Sequence, residues 1–331
     1  MRVRWSARSD VGLRREINQD SYGAEDIPFG CLLIVCDGMG GHAAGEVASR
    51  IGVDSIMHEV VDLSADDPEQ ALRQSFIIAN ERIYAEGRGT MGTTGVAAIL
   101  GHNRAYVANV GDSRAYLVRD GQIVQISRDH SLVSDQVAAG LLTPEQARTS
   151  NVRNIITRAL GHQVEVDVDT FRIPLRSGDT VLLSSDGLHG LIEDKEIAEI
   201  ASILPPEEAA RRLVDQANAR GGVDNITVII AQVDELDQSV AEVTDHGIRE
   251  TTSPHDAITD KLIDPAAQLG STHIELVERP LSRLGLLLAG LVFAVLLTIG
   301  GVSLVTSAPA AAPTATAVPT FLPFSTTTPT Q

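Results

Sequence analysis

The sequence predicts an α+β fold, antiparallel sheets covered by helices, followed by one C-terminal transmembrane helix. Strand-length apolar runs follow one another too closely for the crossover connections of a parallel sheet. Two pairs of helix-length segments interrupt them, giving the order strands, two helices, strands, two helices, strand. Finally, residues 284–306 (LGLLLAGLVFAVLLTIGGVSLVT) carry no charge and are long enough to cross a bilayer core, which takes about 20 residues.

Taken in order, Arg2–Arg8 and Ser21–Gly23 read as short strands and Cys31–Cys36 as a buried one. An odd spacing puts Cys31 and Cys36 on opposite faces of that strand, so they are expected as buried free thiols in a reducing compartment. Residues 43–60 align Ala44, Val47, Ala48, Ile51 and Ser55 on one helical face, and residues 68–86 align Leu72, Phe76, Ala79 and Ile83. Strands follow at Thr94–Leu100, Arg104–Val110 and Arg114–Val118, and Asp120-Gly121 makes a hairpin turn into Ile123–Ile126. The stretch 128–162 is more polar. In it Thr143, Pro144 and Gln146 mark a helix start with a capping box, and the whole reads as a surface flap near a site. Strands resume at Thr170–Pro174 and Thr180–Ser184, helices at about 194–202 and 206–219, and a last strand at Ile226–Val233.

These elements define a compact domain over residues 1–234. Beyond it, residues 235–280 read as a disordered juxtamembrane linker, because from Asp234 to Glu278 acidic residues exceed basic ones by nine. Residues 281–306 form the transmembrane helix, and 307–331 a Pro/Thr/Ala-rich extracytoplasmic tail. Arg279 and Arg283 precede the span and no Lys or Arg follows it. The positive-inside rule then keeps the first domain cytoplasmic and the tail outside a single-pass cell-membrane protein. The start Met1–Trp5 lacks the apolar run of a secretory signal. A net charge of −18 argues against a nucleic-acid partner, while leaving room for a local basic groove that takes an anionic substrate.

Four aspartates end or begin apolar runs beside Gly or Asn: Asp37 in 34–42, Asp112 in 108–114, Asp186 in 182–187 and Asp224 in 221–228. Each would sit where a core strand reaches the protein edge. Carboxylates gathered there repel one another unless a cation holds them, and an all-oxygen set suits Mg²⁺ or Mn²⁺. A fifth segment adds Asp20, with Arg15 five positions before it. Two carboxylate-held metals can activate a water for in-line attack on phosphorus, and an arginine fork binds the non-bridging oxygens. One Asp-Gly pair alone is an ordinary turn; it is the set that points to a site. For Asp112 a turn role or a pair with Arg114 is the competing reading, and Arg14 competes with Arg15. His42, His130, His162 and His189 lack metal-ligand spacing.

The segments Arg15…Asn18-Gln19-Asp20, Asp37-Gly38-Met39-Gly40-Gly41-His42, Met91-Gly92-Thr93-Thr94, Gly111-Asp112-Ser113-Arg114, Ser185-Asp186-Gly187 and Asp224-Asn225-Ile226-Thr227 together resemble the bacterial branch of the metal-dependent (PPM, 2C-type) Ser/Thr protein phosphatases. The linker, span and tail resemble its membrane-tethered members, which act opposite receptor-like Ser/Thr kinases. The resemblance implies a four-layer α-β-β-α sandwich with two Mn²⁺ or Mg²⁺ ions in a cleft at one edge. It implies that Asp37 bridges both ions, the carbonyl of Gly38 and (through waters) Asp20 hold the second, and Asp186 and Asp224 complete the first. Arg15 would bind the substrate phosphate, and Asp112, with Asp186, a third ion. The implied reaction is hydrolysis of phosphoserine and phosphothreonine in proteins by a metal-activated water, with a Ser/Thr kinase among the partners. Two positions depart from the pattern: Gln19 stands where an acidic residue is common, and Met39 where animal members carry His. Asn225 is expected to cap a turn and orient Asp224, and Gly92 and Thr93 to pack tightly near the cleft.

Overall fold

The computed structural model describes residues 1–41, 44–62 and 67–237. The linker beyond Asp237, the transmembrane helix, the outer tail and His42 lie outside the described residues. Among the described residues no helix is long and apolar enough to cross a membrane. The strands are β1 (Arg2–Asp10), β2 (Asp20–Ile27), β3 (Gly30–Met39), β4 (Gly92–Thr93), β5 (Gly95–Gly101), β6 (Arg104–Val110), β7 (Arg114–Arg119), β8 (Gln122–Gln125), β9 (Asp169–Pro174), β10 (Thr180–Ser184) and β11 (Ile226–Glu235). The helices are α1 (Ala44–Asp62), α2 (Pro68–Gly87), α3 (Leu132–Ala138), α4 (Pro144–Thr149), α5 (Asp186–His189), α6 (Asp194–Ile203) and α7 (Pro206–Ala219).

Two antiparallel sheets result, one ordered β1-β11-β10-β7-β8 and the other β2-β3-β5-β6-β9, with β4 paired to the end of β3. Period-two alternation assigns each strand's side chains to separate cores. On β3, Leu32, Ile34 and Cys36 pack under α1 and α2, while Cys31, Leu33 and Val35 face the other sheet. On β11, Ile226, Val228 and Ile230 pack under α7, while Ile229, Ala231 and Val233 enter the inter-sheet core. Three apolar layers thus separate four structural layers, helices–sheet–sheet–helices, as the sequence led us to expect. The two cysteines are buried, free and in different cores.

Local chemistry sets the boundaries. Asp67 caps α2 by accepting from the Gln70 amide, with Pro68 at its first turn. Thr143 and Gln146 form the expected capping box of α4. Asp120 and Gly121 adopt φ of 53° and 75°, the paired positive values that a two-residue hairpin turn needs. The α1 face is rotated from the expected one. Ala48, Gly52, Ser55, Ile56 and Val60 are buried, whereas Val47 is 43% exposed. Small residues at 45, 49 and 52 let the helix approach the sheet on their side, which turns Val47 outward. The polar stretch 128–162 holds α3 as well as α4, and both its ends are pinned. Thr93 and Leu160 exchange backbone hydrogen bonds, and Leu132 and Thr157 bond Ile155 and His130.

Phe76 on α2 is fully buried between the helix pair and its sheet. Phe76→Ala is expected to destabilise the domain by about 3–5 kcal/mol, read as a lowered urea midpoint with an unchanged m-value. A loss under about 1 kcal/mol would contradict this packing.

Candidate metal centre

Antiparallel pairing brings the ends of five strands to one edge. Asp37 lies near the end of β3, and Asp20, which begins β2, is its direct cross-strand partner. Asp112 follows β6 by one glycine, Asp186 opens α5 just after β10, and Asp224 stands two residues before β11. Like charges placed opposite one another are unfavourable, so each carboxylate needs a specific anchor.

Those anchors are small polar residues. The Asp37 amide donates to Thr94 Oγ1 at 2.9 Å, and its carbonyl accepts from Thr93 Oγ1 and the Thr94 amide, both at 2.8 Å. Thr94 Oγ1 in turn lies 2.7 Å from Ser113 Oγ, next to Asp112. Ser185 donates to Asp20 Oδ2 at 2.7 Å while accepting from the Thr227 amide. His130, where the flap begins, grips the Gly111 peptide from both sides: its amide donates to the Gly111 carbonyl, and its Nδ1 accepts from the Gly111 amide. Gly38 and Gly187 allow backbone contact, since a Cβ at either would stand 2.0 Å from the carbonyl oxygen of Gly45 or Asn225.

The loop carrying Arg15 is tied from the far end of the chain. Asn225 Nδ2 donates to the carbonyls of Val11 and Ile17 at 3.0 Å, and its Oδ1 accepts from the Gln19 amide at 2.8 Å. Its backbone amide bonds Asp224 Oδ1. The side chain of Asn225 therefore holds the 11–19 segment, a role beyond the expected orientation of Asp224. Arg15 donates to Asp224 Oδ2 at 2.8 Å, and neighbouring Arg14 is also exposed. Arg114 binds Asp129 bidentately and Tyr116 Oη, and its charge also acts on Asp112. Gln19 lies over Gly45, and its amide Nε2 is 3.5 Å from the Gly40 carbonyl. Gly92 packs against the His162 ring and Leu160, as expected of a tight contact. His189 lies beside Ser184, and His130 bonds Asp169.

The cluster is electrostatically costly. Burial, reinforced by the other carboxylates, holds Asp37 well above the usual range. Burial raises Asp20 to about 7, against hydrogen bonds from Thr227 and Ser185. It raises Asp186 to about 6, helped by Asp224 and opposed by Arg15, and Asp112 to about 8, helped by Asp186. Asp20 Oδ1 is buried without a hydrogen-bond partner. Among the described residues no three or more His, Cys, Asp or Glu groups close into a ready-made cage. The donor set is nonetheless that of a hard divalent cation: oxygen-only, anionic, with one orphaned buried carboxylate oxygen.

Serine, threonine and asparagine anchors of this kind were legible only in part. The Thr93-Thr94 and Asp224-Asn225 pairs stand in the motifs, but nothing in sequence spacing says which backbone atoms they bind. His130 carries no sequence signal of its clamp on Gly111.

Comparisons with known proteins agree with this geometry. The Protein phosphatase 2C family model matches residues 17–136. The serine/threonine phosphatase stp of Listeria monocytogenes is 40% identical over 238 residues, covering 69% of this chain and 94% of that protein. The serine/threonine protein phosphatase PstP of Mycobacterium tuberculosis is 41% identical over 248 residues, 71% of this chain but 46% of PstP. A crystal structure of the PstP catalytic domain in complex with two manganese ions aligns with a TM-score of 0.63 at 40% identity, covering 70% of this chain and 99% of that one. With the metal-suited carboxylate edge already described, these likenesses establish that the chain belongs to the PP2C family of bacterial serine/threonine phosphatases and is a protein-serine/threonine phosphatase.

Proposed function

We propose that this phosphatase is tethered to the cell membrane by residues 281–306, faces the cytoplasm, and reverses Ser/Thr kinase signalling there with two Mn²⁺ or Mg²⁺ ions in the cleft. The observation that carries the catalytic part is the meeting of Asp20, Asp37, Asp112, Asp186 and Asp224 with Arg15 at one edge. The membrane part rests on the charge-free run 284–306 and its flanking arginines.

In this reading Asp37 would serve both ions, Asp186 and Asp224 one of them, and the Gly38 carbonyl and Asp20 the other. Asp112, with Asp186, would hold a third. When bound, the two ions supply Lewis-acid stabilisation of phosphoryl oxygens and lower the pKa of an attacking water. Arg15 recognises the phosphate. Its guanidinium is held on one side by Asp224 and its side chain is 48% exposed, so the group is accessible to a phosphate. Were Asp224 engaged by a cation, Arg15 would be available to the non-bridging oxygens, which its fork fits bidentately. Gln19 keeps its neighbours in place through its backbone, with the amide bonded to Asn225 and the carbonyl to the Gly38 amide. Loss of an acidic side chain there leaves this scaffold intact.

Three outcomes follow. Phosphothreonine-peptide hydrolysis should require Mn²⁺ or Mg²⁺ and stop in EDTA. Asp37→Ala and Asp224→Ala should each lower it more than about a hundredfold, since even groups that merely orient a ligand commonly cost ten- to a hundredfold; a loss below tenfold sinks the assignment. Second, the metal-free domain should lose thermal stability as pH rises from about 4 to 8. Asp20, Asp112 and Asp186 bind protons more tightly folded than unfolded, so the penalty is absent below pH 3.8, grows as pH rises from there to their folded values of about 6 to 8, and levels off above them. His189, depressed by burial from 6.5, is neutral when folded but still takes up protons near pH 6.5 when unfolded, so it adds a smaller slope of opposite sign there. Mn²⁺ should flatten the dependence; a Tm that climbs with pH in EDTA would contradict it. Third, the full chain should sediment with membranes and be released by detergent but not by high salt. Recovery in the soluble fraction would overturn the tether.

A further inference from the structure

Residues 13–17, which carry Arg15, are all exposed. Leu13 is 65% and Ile17 41% exposed, and Val223, beside Asp224, is 53% exposed. Single apolar side chains scattered over a surface need no explanation, but these three gather round one guanidinium. The backbone brings them together. The Leu13 amide donates to the Gly222 carbonyl at 2.7 Å, next to Val223. The Ile17 carbonyl accepts from Asn225 Nδ2 at 3.0 Å, and Arg15 donates to Asp224 Oδ2 at 2.8 Å. Asp10 Oδ1 fixes the start of the loop by accepting from the Gly12 amide at 2.9 Å and from Asn218 Nδ2 at 3.1 Å. A loop tied at so many points holds Leu13 and Ile17 out, and their apolar area stays in water until something covers it. Arg14 and Glu16, between them, are exposed and opposite in sign, so they set no preference for a charged neighbour.

The reaction determines what covers this surface. A protein phosphatase takes a polypeptide, whose successive Cα atoms stand about 3.8 Å apart. Residues one or two places from a phosphoresidue held by Arg15 therefore fall within reach of side chains two places from Arg15. We infer that Leu13, Ile17 and Val223 form an apolar surface that receives the side chain flanking the phosphoresidue, so that this phosphatase prefers sites with a large apolar residue one or two positions away. The inference rests on the reading of Arg15 as the phosphate ligand.

The test uses the full chain with Mn²⁺ and phosphothreonine peptides carrying Leu, Asp or Ala at a single position from two before to two after the phosphothreonine. At one or two positions Leu should raise kcat/KM about tenfold over Ala, the low end of what an added methylene gives in an apolar pocket, and Asp should not. In Leu13→Ser/Ile17→Ser/Val223→Ser the ratio of Leu to Ala should fall to about one. Damage to the loop would instead slow every peptide alike and leave the ratio standing, which overturns the surface. If the triple variant is inactive, the three single changes carry the test: at least one should lower the ratio threefold or more, and none doing so overturns it. A ratio near one in the unaltered chain also overturns it, and a dimer that dissociates on the same substitutions would then give the surface to a second copy of the chain. Arg15→Ala should slow all the peptides alike, and a normal rate there would overturn the phosphate reading whatever the ratio.

Discussion

Mutual repulsion among carboxylates in one shielded recess is the constraint on which the rest of this molecule depends. Folding brings five aspartates to a single sheet edge, where burial and neighbouring charge raise the proton affinity of four of them. An arrangement so unfavourable persists only if the surroundings over-determine it. Here they do so with short polar side chains bonded to backbone. Thr93 and Thr94 fix the Asp37 peptide, Ser185 fixes Asp20, His130 fixes the turn before Asp112, and Asn225 fixes the approach of Arg15. The strain is set in a frame of three separate apolar layers that lie behind it and do not share its charge.

That division of labour accounts for the sequence pattern. Strand interiors carry strictly alternating or continuous apolar residues, because each face belongs to a different core. Chemistry is confined to the one or two residues past each strand end, where backbone turns and glycine permits contact closer than a side chain would. The flap then closes one side of the recess while staying anchored at both ends, so it shapes a cavity without disturbing the sheets.

The order of elements along the chain, both helix pairs and the free cysteines were legible because period-two and period-3.6 patterns survive in the apolar residues. The face of α1 was not. Val47 fits a helical apolar stripe, yet small residues at 45, 49 and 52 draw the helix onto the sheet along another line. Short α3 and α5 escaped notice because a segment of four to seven residues shows less than two helical turns. At the site, aspartates beside glycine stood out as a set, and Arg15 was separable from Arg14 by its spacing to Asp20. The role of Asn225 was not readable. Its three partners lie more than 200 positions away in sequence, and such pairing is a property of the folded topology alone.

That long-range clasp has a consequence for the birth of the protein. The first strand pairs with the last, and Asn225 holds the segment that presents Arg15. A growing chain can complete the helix pair α1–α2 and the sheet beneath it early, since their contacts are close in sequence. It cannot assemble the phosphate-binding side until residues 224–235 have left the ribosome, because contacts of high sequence separation form last. Catalytic competence therefore arrives in one step at the end of domain synthesis, and a nascent phosphatase cannot act on its neighbours before it is whole.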